Sequence, residues 1–284
     1  MKVLSRLTLV LKDMVTLSFL QDVLREFLGT VLFLLIGLSS IVLWPSATAG
    51  DTTGHGEPAP FLPLLKCHLD PLRVPLAFGA ALAVACVCFG PVHLNPAVTL
   101  ALAMGLRVSP WRAVLYIGAQ LLGALTACAL LMGIAPTSLH GQLGINEVAP
   151  GVNLSKAVCV EMAITVQLVL CVLTISHPMC PCSSLGPALF GLSVTLGHFV
   201  AMEYTGCGMN PARSFGPAMM TLNFNHQWVY WVGPCVGAVL AWLLHDLLLR
   251  PRWSSTRDWL SDFKKVFLQE PQKQPDDTQH AAAE

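Results

Sequence analysis

Charged residues are scarce in this chain. They make up 11% of its 284 residues, whereas a soluble domain carries about 25%. So small a charged fraction excludes an ordinary soluble domain. The net charge is zero and the isoelectric point is near 7.1, so the chain has no basic surplus to attract nucleic acid. We therefore expect no nucleic-acid partner.

Disulfide, metal and catalytic patterns are missing as well. Six of the ten cysteines lie in apolar runs, where cysteine acts as a small hydrophobe: Cys86, Cys88, Cys128, Cys159, Cys171 and Cys235. Cys180 and Cys182 are closer than the usual zinc-ligand spacing, and metal binding and lipidation both stay open for them. The sequence shows no Ser/His/Asp arrangement and no Gly-rich phosphate loop. We predict that the chain is not an enzyme and needs no cofactor and no metal.

Long apolar segments dominate what is present, since 54% of the residues are hydrophobic. Several runs reach about 18 residues or more, enough to cross a hydrocarbon core as a helix. No short apolar core with a cleavage site follows the basic N-terminus, so the first span itself should direct insertion. We predict spans near residues 21–44, 73–90, 111–133, 157–177, 187–203 and 227–249.

Two half-length apolar segments stand between predicted spans, each after the tripeptide Asn-Pro-Ala. The motifs are Asn95-Pro96-Ala97 and Asn210-Pro211-Ala212, and the segments cover 98–106 and 214–222. Neither segment is long enough to span, which favours re-entrant structure. Asparagine is a good helix N-cap, and proline suits the first helical position. Each motif is therefore predicted to begin a half-helix.

An internal repeat relates the two halves. The first helix of each half carries a glutamate with a threonine four residues later: Glu26 and Thr30, then Glu161 and Thr165. Because each repeat holds three spans, the second copy must be inverted in the membrane. Inverted repeats with broken helices place a site near the bilayer midplane. The dipoles of both half-helices would add partial positive charge there.

Basic residues are distributed unevenly between the two sides. Twelve of the sixteen lysines and arginines lie before or at the start of the first span, between the second span and the start of the third, or after the sixth span. Cytoplasmic segments carry the excess of lysine and arginine, so both termini are predicted to be cytosolic. The segment 178–186 should share that side but has no basic residue, which weakens the signal locally.

These features resemble the aquaporin, or major intrinsic protein, family over about residues 20–250, and most of all its vertebrate water-selective members. The resemblance rests on Glu26, 93–99, Gln120, Glu161, Gln167, 206–217 and 231–234. It implies an all-α membrane protein with six transmembrane helices and two re-entrant half-helices in two inverted repeats. The implied divisions are a cytosolic segment over 1–20, a channel domain over 21–250 and a cytosolic tail over 251–284, with repeats over 21–133 and 157–249.

The resemblance also implies a narrow extracellular filter made of four residues, which we call the filter cluster: Phe78, His198, Cys207 and Arg213. Ionisable groups inside spans are costly and usually face a cavity, which agrees with pore positions for the histidine and the arginine. Plain core packing remains the alternative for Phe78, and a helix contact for His198. Glycerol-conducting relatives commonly have glycine for the histidine and aspartate after the arginine, where this chain has His198 and Ser214.

The resemblance therefore implies a passive water channel that excludes protons and ions, as opposed half-helix dipoles and an arginine do in aquaporins. It implies further that Glu26 and Glu161 accept hydrogen bonds from the re-entrant backbone, with Gln120 and His93 in the same supporting network. Irregular backbone at membrane depth needs such internal partners. A homotetramer in the lipid bilayer of the plasma membrane, with water as permeant, is implied as well.

The first re-entrant loop departs from the family pattern. Water-selective relatives usually have a Ser-Gly-Ala-like triplet before the histidine, whereas here Gly90-Pro91-Val92 runs directly into His93, so the loop is about three residues shorter. Three residues in extended form span roughly 10 Å. We hypothesise that the second span unwinds at its end or that the first half-helix shifts, which would lower conductance. A folded but nearly closed pore is the competing outcome.

Other functions and sites stay open at this point. The alternatives are a channel for another small neutral solute, such as glycerol, ammonia or hydrogen peroxide, and a low-conductance structural or adhesive member. The loop over 45–72, with His55, Cys67 and His68, is expected to be solvated, although it could bind metal. Asn153 begins a glycosylation sequon close to a span. The tail places Trp259, Phe263 and Phe267 on one helical face, which indicates a membrane-surface helix, a cytosolic partner site or chance periodicity in a disordered tail.

Overall fold

The computed structural model describes residue 14 and residues 16–42, 71–140, 143–177, 180–249 and 255–268. Within these ranges the chain forms helices and no strands, so the predicted all-α class is confirmed. The loop predicted over 45–72 lies outside the described residues up to residue 70. Most of the N-terminal segment and residues 269–284 lie outside them too.

The described part of the chain is built from a series of helices. In order, they are α1 (Leu17–Ile41), α2 (Arg73–Phe89), α3 (Pro96–Met104), α4 (Pro110–Ile134), α5 (Leu154–Ile175), α6 (Gly186–Thr205), α7 (Pro211–Thr221), α8 (Val229–Trp242) and α9 (Thr256–Leu268). The end of α8 continues as a π-helix over Leu243–Leu249. Single 3₁₀ turns lie at Thr137–Leu139 and Ser183–Leu185.

Five of the described helical segments are long and apolar enough to cross a membrane: those built on α1, α4, α5, α6 and α8. Helix α2 is equally apolar but has only 17 residues, a rise of about 26 Å. With α2 these segments form the six spanning helices that the sequence predicts. Helix α1 begins at Leu17 rather than residue 21, because the Thr16 hydroxyl accepts a hydrogen bond from the Phe19 amide at 3.3 Å and caps the helix there.

The two repeats pack in matching ways. Helix α1 lies against α4, and α5 lies against α8, with a glycine at each crossing. A Cβ atom at Gly123 would stand 2.9 Å from Thr30 Cβ, and one at Gly237 would stand 3.0 Å from Thr165 Cβ. The two threonines are the repeated positions noted in the sequence, so both halves use the same close contact.

Helices α2 and α6, the second spans of the two repeats, cross each other at Gly79 and Gly191. A Cβ atom at Gly79 would stand 2.6 Å from the Gly191 carbonyl oxygen, and a Cβ atom at Gly191 would collide with the Gly79 carbonyl oxygen. Only residues without a side chain allow the two backbones to approach this closely. The crossing fixes how the halves meet around the centre of the molecule.

An ion pair joins three elements where α8 ends. Arg107, after α3, donates to Asp246 Oδ1 at 3.0 Å and to the Leu173 carbonyl of α5 at 3.1 Å. His245 Nδ1 lies 2.6 Å from the same Asp246 oxygen, and both π-helix residues are buried. A charge buried away from water needs such partners. The contact attaches the end of α8 to the connection between α3 and α4.

Helix α9 brings Trp259 and Phe263, two residues of the predicted aromatic face, against the other helices, whereas the side chain of the third, Phe267, lies outside what the structure describes. The Trp259 and Phe263 rings stack with centroids 5.1 Å apart. They line a cavity of about 230 Å³ together with Trp242 and Pro110. The aromatic periodicity therefore belongs to a helix on which Trp259 and Phe263 face the rest of the chain.

Candidate functional site

Both Asn-Pro-Ala motifs begin a half-helix in the structure. The Asn95 side chain accepts a hydrogen bond from the Ala97 amide at 2.8 Å, and the Asn210 side chain accepts one from the Ala212 amide at 2.9 Å. The prolines take the first helical position of α3 and α7, where a missing N–H is no loss. Local capping chemistry thus explains why both helices start at these residues.

The two motifs contact each other in the interior of the molecule. Asn95 Nδ2 donates to the Met209 carbonyl at 3.0 Å, and Asn210 Nδ2 donates to the Leu94 carbonyl at 2.7 Å. An amide nitrogen carries two hydrogens, so each asparagine retains one donor for an oxygen atom beside it. The N-termini of α3 and α7 both end here, and their dipoles place partial positive charge at the same point.

Glu26 holds the loop that leads into the first motif. Its Oε1 accepts from the His93 amide at 2.6 Å, and its Oε2 accepts from the Leu94 amide at 2.9 Å. Gln120 Nε2 lies 2.9 Å from Glu26 Oε2 and 2.9 Å from Thr99 Oγ1. The His93 ring completes the group, with Nδ1 3.1 Å from the same threonine oxygen. The structure therefore brings all three of Glu26, Gln120 and His93 together.

Glu161 does the same for the second motif. Its carboxylate accepts from the Gly208 amide at 2.8 Å, the Met209 amide at 2.7 Å and the Thr205 hydroxyl at 2.6 Å. The Tyr230 hydroxyl donates to the Thr205 carbonyl at 3.0 Å. Hydrogen bonds to a charged acceptor are the stronger kind. The carboxylate thus fixes the backbone just before Asn210.

The threonine four residues after each glutamate has a local reason. Thr30 Oγ1 donates to the Glu26 carbonyl, and Thr165 Oγ1 donates to the Glu161 carbonyl, both at 2.7 Å. A threonine that bonds back to the preceding turn needs no other partner inside an apolar span. The same threonine also packs against the glycine of the neighbouring helix, so one repeated position both bonds to its own helix and contacts the next one.

Three members of the filter cluster lie side by side. The Phe78 and His198 rings have centroids 4.3 Å apart at an angle of 30°, and the Arg213 guanidinium carbon lies 5.3 Å from the Phe78 centroid. Arg213 Nη1 donates to the Gly144 carbonyl at 2.6 Å. His198 Nδ1 lies 2.9 Å from the Val194 carbonyl oxygen, which can only accept, so Nδ1 carries the hydrogen and Nε2 of a neutral ring is an acceptor.

Two polar atoms of the filter cluster are left over. His198 Nε2 and Arg213 Nε are buried and have no hydrogen-bond partner among the described residues. Both side chains line a narrow cavity of about 10 Å³ that also contacts Asn95 and Asn210. A cavity needs roughly 10–15 Å³ to hold one water, which both donates and accepts. Water in this cavity can therefore serve the arginine donor and the histidine acceptor.

Cys207 differs from the rest of the filter cluster. It is fully buried, and its backbone has a φ of 54°. The residues that follow it, Gly208 and Met209, line the narrow cavity, whereas Cys207 is not among the residues that do. Its amide donates to Thr205 Oγ1 at 3.3 Å, which places it in the network around Glu161.

A second, much larger cavity adjoins the first re-entrant loop. It measures about 1000 Å³, and we call it the vestibule. Its lining comes from the loop, from α3 and from the facing ends of α5 and α6, and it includes Gly90, His93, Val98, Arg107, Val172, His177 and Phe190. Helix α2 ends at Phe89, and Gly90 has a φ of 80°, which glycine adopts without strain. The short loop reaches Asn95 in this way, and the Asn95 contact with Met209 is intact.

Several residues around the site carry no motif that would single them out. Asn146 donates to the Gly206 carbonyl at 2.8 Å and accepts from the Ser214 hydroxyl at 2.8 Å, which ties the α4–α5 connection to the second motif. Besides Phe78 and Met209, five apolar side chains line the narrow cavity: Phe33, Leu82, Leu168, Phe190 and Val194. Similar residues fill every span, so apolar character could not mark these positions.

The remaining candidates lie apart from this site. The Asn153 side chain caps α5 by accepting from the Lys156 amide at 2.9 Å. Cys180 is buried and Cys182 is exposed, and both are free thiols. Among the described residues, no three His, Cys, Asp or Glu side chains are grouped so as to hold a metal ion.

Comparisons with known proteins agree with this architecture. The sequence pattern of the family described as "Major intrinsic protein" matches residues 13–245. Aquaporin-5 of Sus scrofa is 42% identical over 266 residues, covering 91% of this chain and 92% of that protein. Aquaporin-1 of Canis lupus familiaris is 40% identical over 263 residues, covering 91% and 93%.

A solved structure shows the same fold at lower identity. The X-ray structure of the aquaglyceroporin from Plasmodium falciparum superposes with a TM-score of 0.65 at 22% identity, covering 82% of this chain and 98% of that one. Together with the sequence matches, this fold confirms the predicted arrangement of spans and half-helices. The chain belongs to the major intrinsic protein family, and it is a membrane channel for water or small solutes rather than an enzyme.

Proposed function

We propose that this chain is a passive water channel driven by osmotic gradients, which excludes protons, ions and glycerol. The narrow cavity between Phe78, His198 and Arg213 carries the proposal, because its 10 Å³ match about one water molecule. The relatives named aquaporin-5 and aquaporin-1 support the same permeant.

Charge and hydrogen-bond direction support the exclusion of cations. Arg213 lines the narrow cavity, and so do Asn95 and Asn210, where the N-termini of α3 and α7 meet. Positive charge at an arginine and at half-helix ends raises a barrier to cations and protons. Asn95 and Asn210 offer donors only to the water oxygen between them, so that water cannot accept a relayed proton easily.

Steric exclusion argues against glycerol. A polyol with six heavy atoms needs several times the volume of one water, and the Phe78 and His198 rings, 4.3 Å apart, leave no such space beside Arg213. A glycerol path would require the imidazole to leave its bond to the Val194 carbonyl. Water is therefore the permeant that fits this filter.

Reconstituted proteoliposomes test the proposal directly. We expect fast shrinkage in a sucrose gradient, no added glycerol uptake over empty liposomes, and no dissipation of a pH gradient. Glycerol entry at a rate comparable to water would overturn the selectivity. A low-conductance structural role gains support if folded protein gives no water flux, and the apolar wall of the narrow cavity is the observation that favours this second candidate.

The assembly and location that we propose follow the resemblance and the basic residues. We propose a homotetramer in the plasma membrane, with both termini and the vestibule on the cytosolic side and the filter cluster on the outer side. Residues 21–250 form the channel domain, flanked by cytosolic segments over 1–20 and 251–284. Native mass spectrometry in detergent checks the tetramer, and a C-terminal epitope that antibodies reach only after permeabilisation checks the orientation.

A further inference from the structure

Phe190 lies at the boundary between the two cavities. Among the described residues, it is the one side chain that lines both the vestibule of about 1000 Å³ and the narrow cavity of about 10 Å³. It is 5% exposed. A solute that moves from the vestibule toward Asn95 and Asn210 must therefore pass its ring.

Helix geometry places Phe190 in line with the filter cluster. Phe190, Val194 and His198 are spaced by four residues on α6, so their side chains follow one face of the helix, and all three line the narrow cavity. Eight residues of helix rise about 12 Å. The narrow cavity thus has His198 at one end of this row and Phe190 at the other.

The surroundings of Phe190 are apolar, and its backbone is fixed. Leu168 and Val194 line the same cavity beside it, and the Phe190 carbonyl accepts from the Ser193 hydroxyl at 2.7 Å. The next residue, Gly191, makes the close crossing with Gly79. Because the crossing holds the α6 backbone, rotation of the ring is the motion available for widening this point.

We propose that Phe190 is an inner gate, which limits water entry from the vestibule and makes this end of the pore the second determinant of permeability. A phenyl ring offers water no hydrogen bond of useful strength, and narrow apolar constrictions close by dewetting. Water finds hydrogen-bond partners again only where Asn95 and Asn210 present their amides. The proposal rests on the proposed water conduction but concerns the opposite end of the narrow cavity from the filter cluster.

A size series at this position tests the gate in proteoliposomes of full-length protein. We expect Phe190→Ile and Phe190→Ala to raise water permeability per channel about threefold or more and to lower its activation energy, and Phe190→Trp to abolish flux, as for a dewetting constriction. Phe199→Ile is the matched control, because Phe199 lies on the same helix but is 47% exposed on its outer surface. Gel filtration and thermal unfolding of each variant verify that the fold is kept.

The outcomes separate the gate from the proposed function. Equal permeability of wild type, Phe190→Ile and Phe190→Ala would overturn the gate while leaving water conduction in place. Glycerol entry through wild type would overturn the selectivity, yet a higher flux in the alanine variant would still support the gate. A silent wild type with a conducting alanine variant supports it too, whereas flux in neither protein rejects the gate together with the channel.

Discussion

His198 and Arg213 divide the hydrogen bonding at the filter end of the cavity. His198 Nδ1 is used by the Val194 carbonyl, and Arg213 Nη1 by the Gly144 carbonyl. The ring Nε2 and the guanidinium Nε remain for the permeant. In the proposed function, selectivity depends on which polar atoms of His198 and Arg213 already bind backbone carbonyls.

Replacing His198 by alanine should admit glycerol. The change removes the ring that contacts Phe78 at 4.3 Å. We expect glycerol permeability to rise about tenfold or more and water flux to be retained, because the missing side chain leaves open space for the polyol. Glycerol uptake by proteoliposomes measures this. The control is His226→Asn, an exposed loop position with a φ of 53° that asparagine tolerates. No glycerol entry in the alanine variant would contradict the steric account.

Cys207 should be the target of a mercurial that blocks flux. Its thiol is buried beside the residues that line the narrow cavity, so a bound mercury atom would displace Gly208 and Met209 into the path. We expect Cys207→Ser to conduct without inhibition, and Cys182→Ser, which changes an exposed thiol, to remain sensitive. Inhibition that persists in Cys207→Ser would remove this residue from the site.

Residue identities could be predicted where chemistry is specific. The asparagines, the two glutamates and the arginine are costly in an apolar span unless they have a role. The structure places both asparagines and the arginine on one cavity, and it places the glutamates on the loops that lead to the asparagines. Phe190 and Asn146 could not be found in this way. A phenylalanine is ordinary in any span, and the bonds of Asn146 to Gly206 and Ser214 depend on a loop whose path the sequence does not state.

At the scale of the elements, the half-helices depend on carboxylates from distant spans. Glu161 accepts three hydrogen bonds near Asn210, and Glu26 accepts two backbone bonds near Asn95. Nine or eleven residues make a helix too short to persist alone. Their positions therefore come from the spans around them.

Substitution Glu161→Gln should destabilise the second half-helix. An amide in place of the carboxylate turns one NH₂ group toward a backbone N–H, and we expect a loss of about 2–3 kcal/mol in the free energy of unfolding. Thermal unfolding in detergent measures the change. Glu203→Gln alters an exposed carboxylate and should leave the transition where it is. Equal melting temperatures for the two variants would show that the carboxylate does not hold the loop.

The crossing of α2 and α6 should not accept a methyl group. In Gly191→Ala the new Cβ meets the Gly79 carbonyl, and we expect a cost of about 1–3 kcal/mol from overpacking. Gly118→Ala is the control, because a Cβ there has no heavy atom within 4 Å among the groups around it. Gel filtration measures the fraction of each variant that elutes as a single folded species. A Gly191→Ala profile equal to that of the wild type would refute the close contact.

Across the whole molecule, the inverted topology could be predicted from an odd number of spans per repeat. The ends of the spans could not, because single caps move them: Thr16 extends α1 and Asn153 extends α5. The short first loop predicts that the second span unwinds at its end or that the first half-helix shifts. In the structure helix α2 ends at Phe89, and Gly90 turns the chain so that Asn95 reaches Met209. The predicted loss of conductance stays a prediction.

Restoring a Ser-Gly-Ala triplet between Val92 and His93 should change water permeability by less than about twofold, because a wide vestibule offers little resistance beside a narrow apolar segment. Stopped-flow light scattering on proteoliposomes measures this. The control inserts the same triplet after Asn225, in an exposed loop, where added residues cost little. A large rise only in the first insertion would show that the short loop limits flux.

The exchanged bonds between the motifs have a consequence for biogenesis. Among the described residues, the Leu94 carbonyl accepts a hydrogen bond from Asn210, 116 residues away, and the Asn95 amide donates one to the Met209 carbonyl, 114 residues away. When the ribosome has made only the first half, Glu26 can already hold the loop, but the Leu94 carbonyl and the Asn95 amide still lack these partners from the second half. The first motif therefore reaches its final set of hydrogen bonds only after the second repeat has been translated.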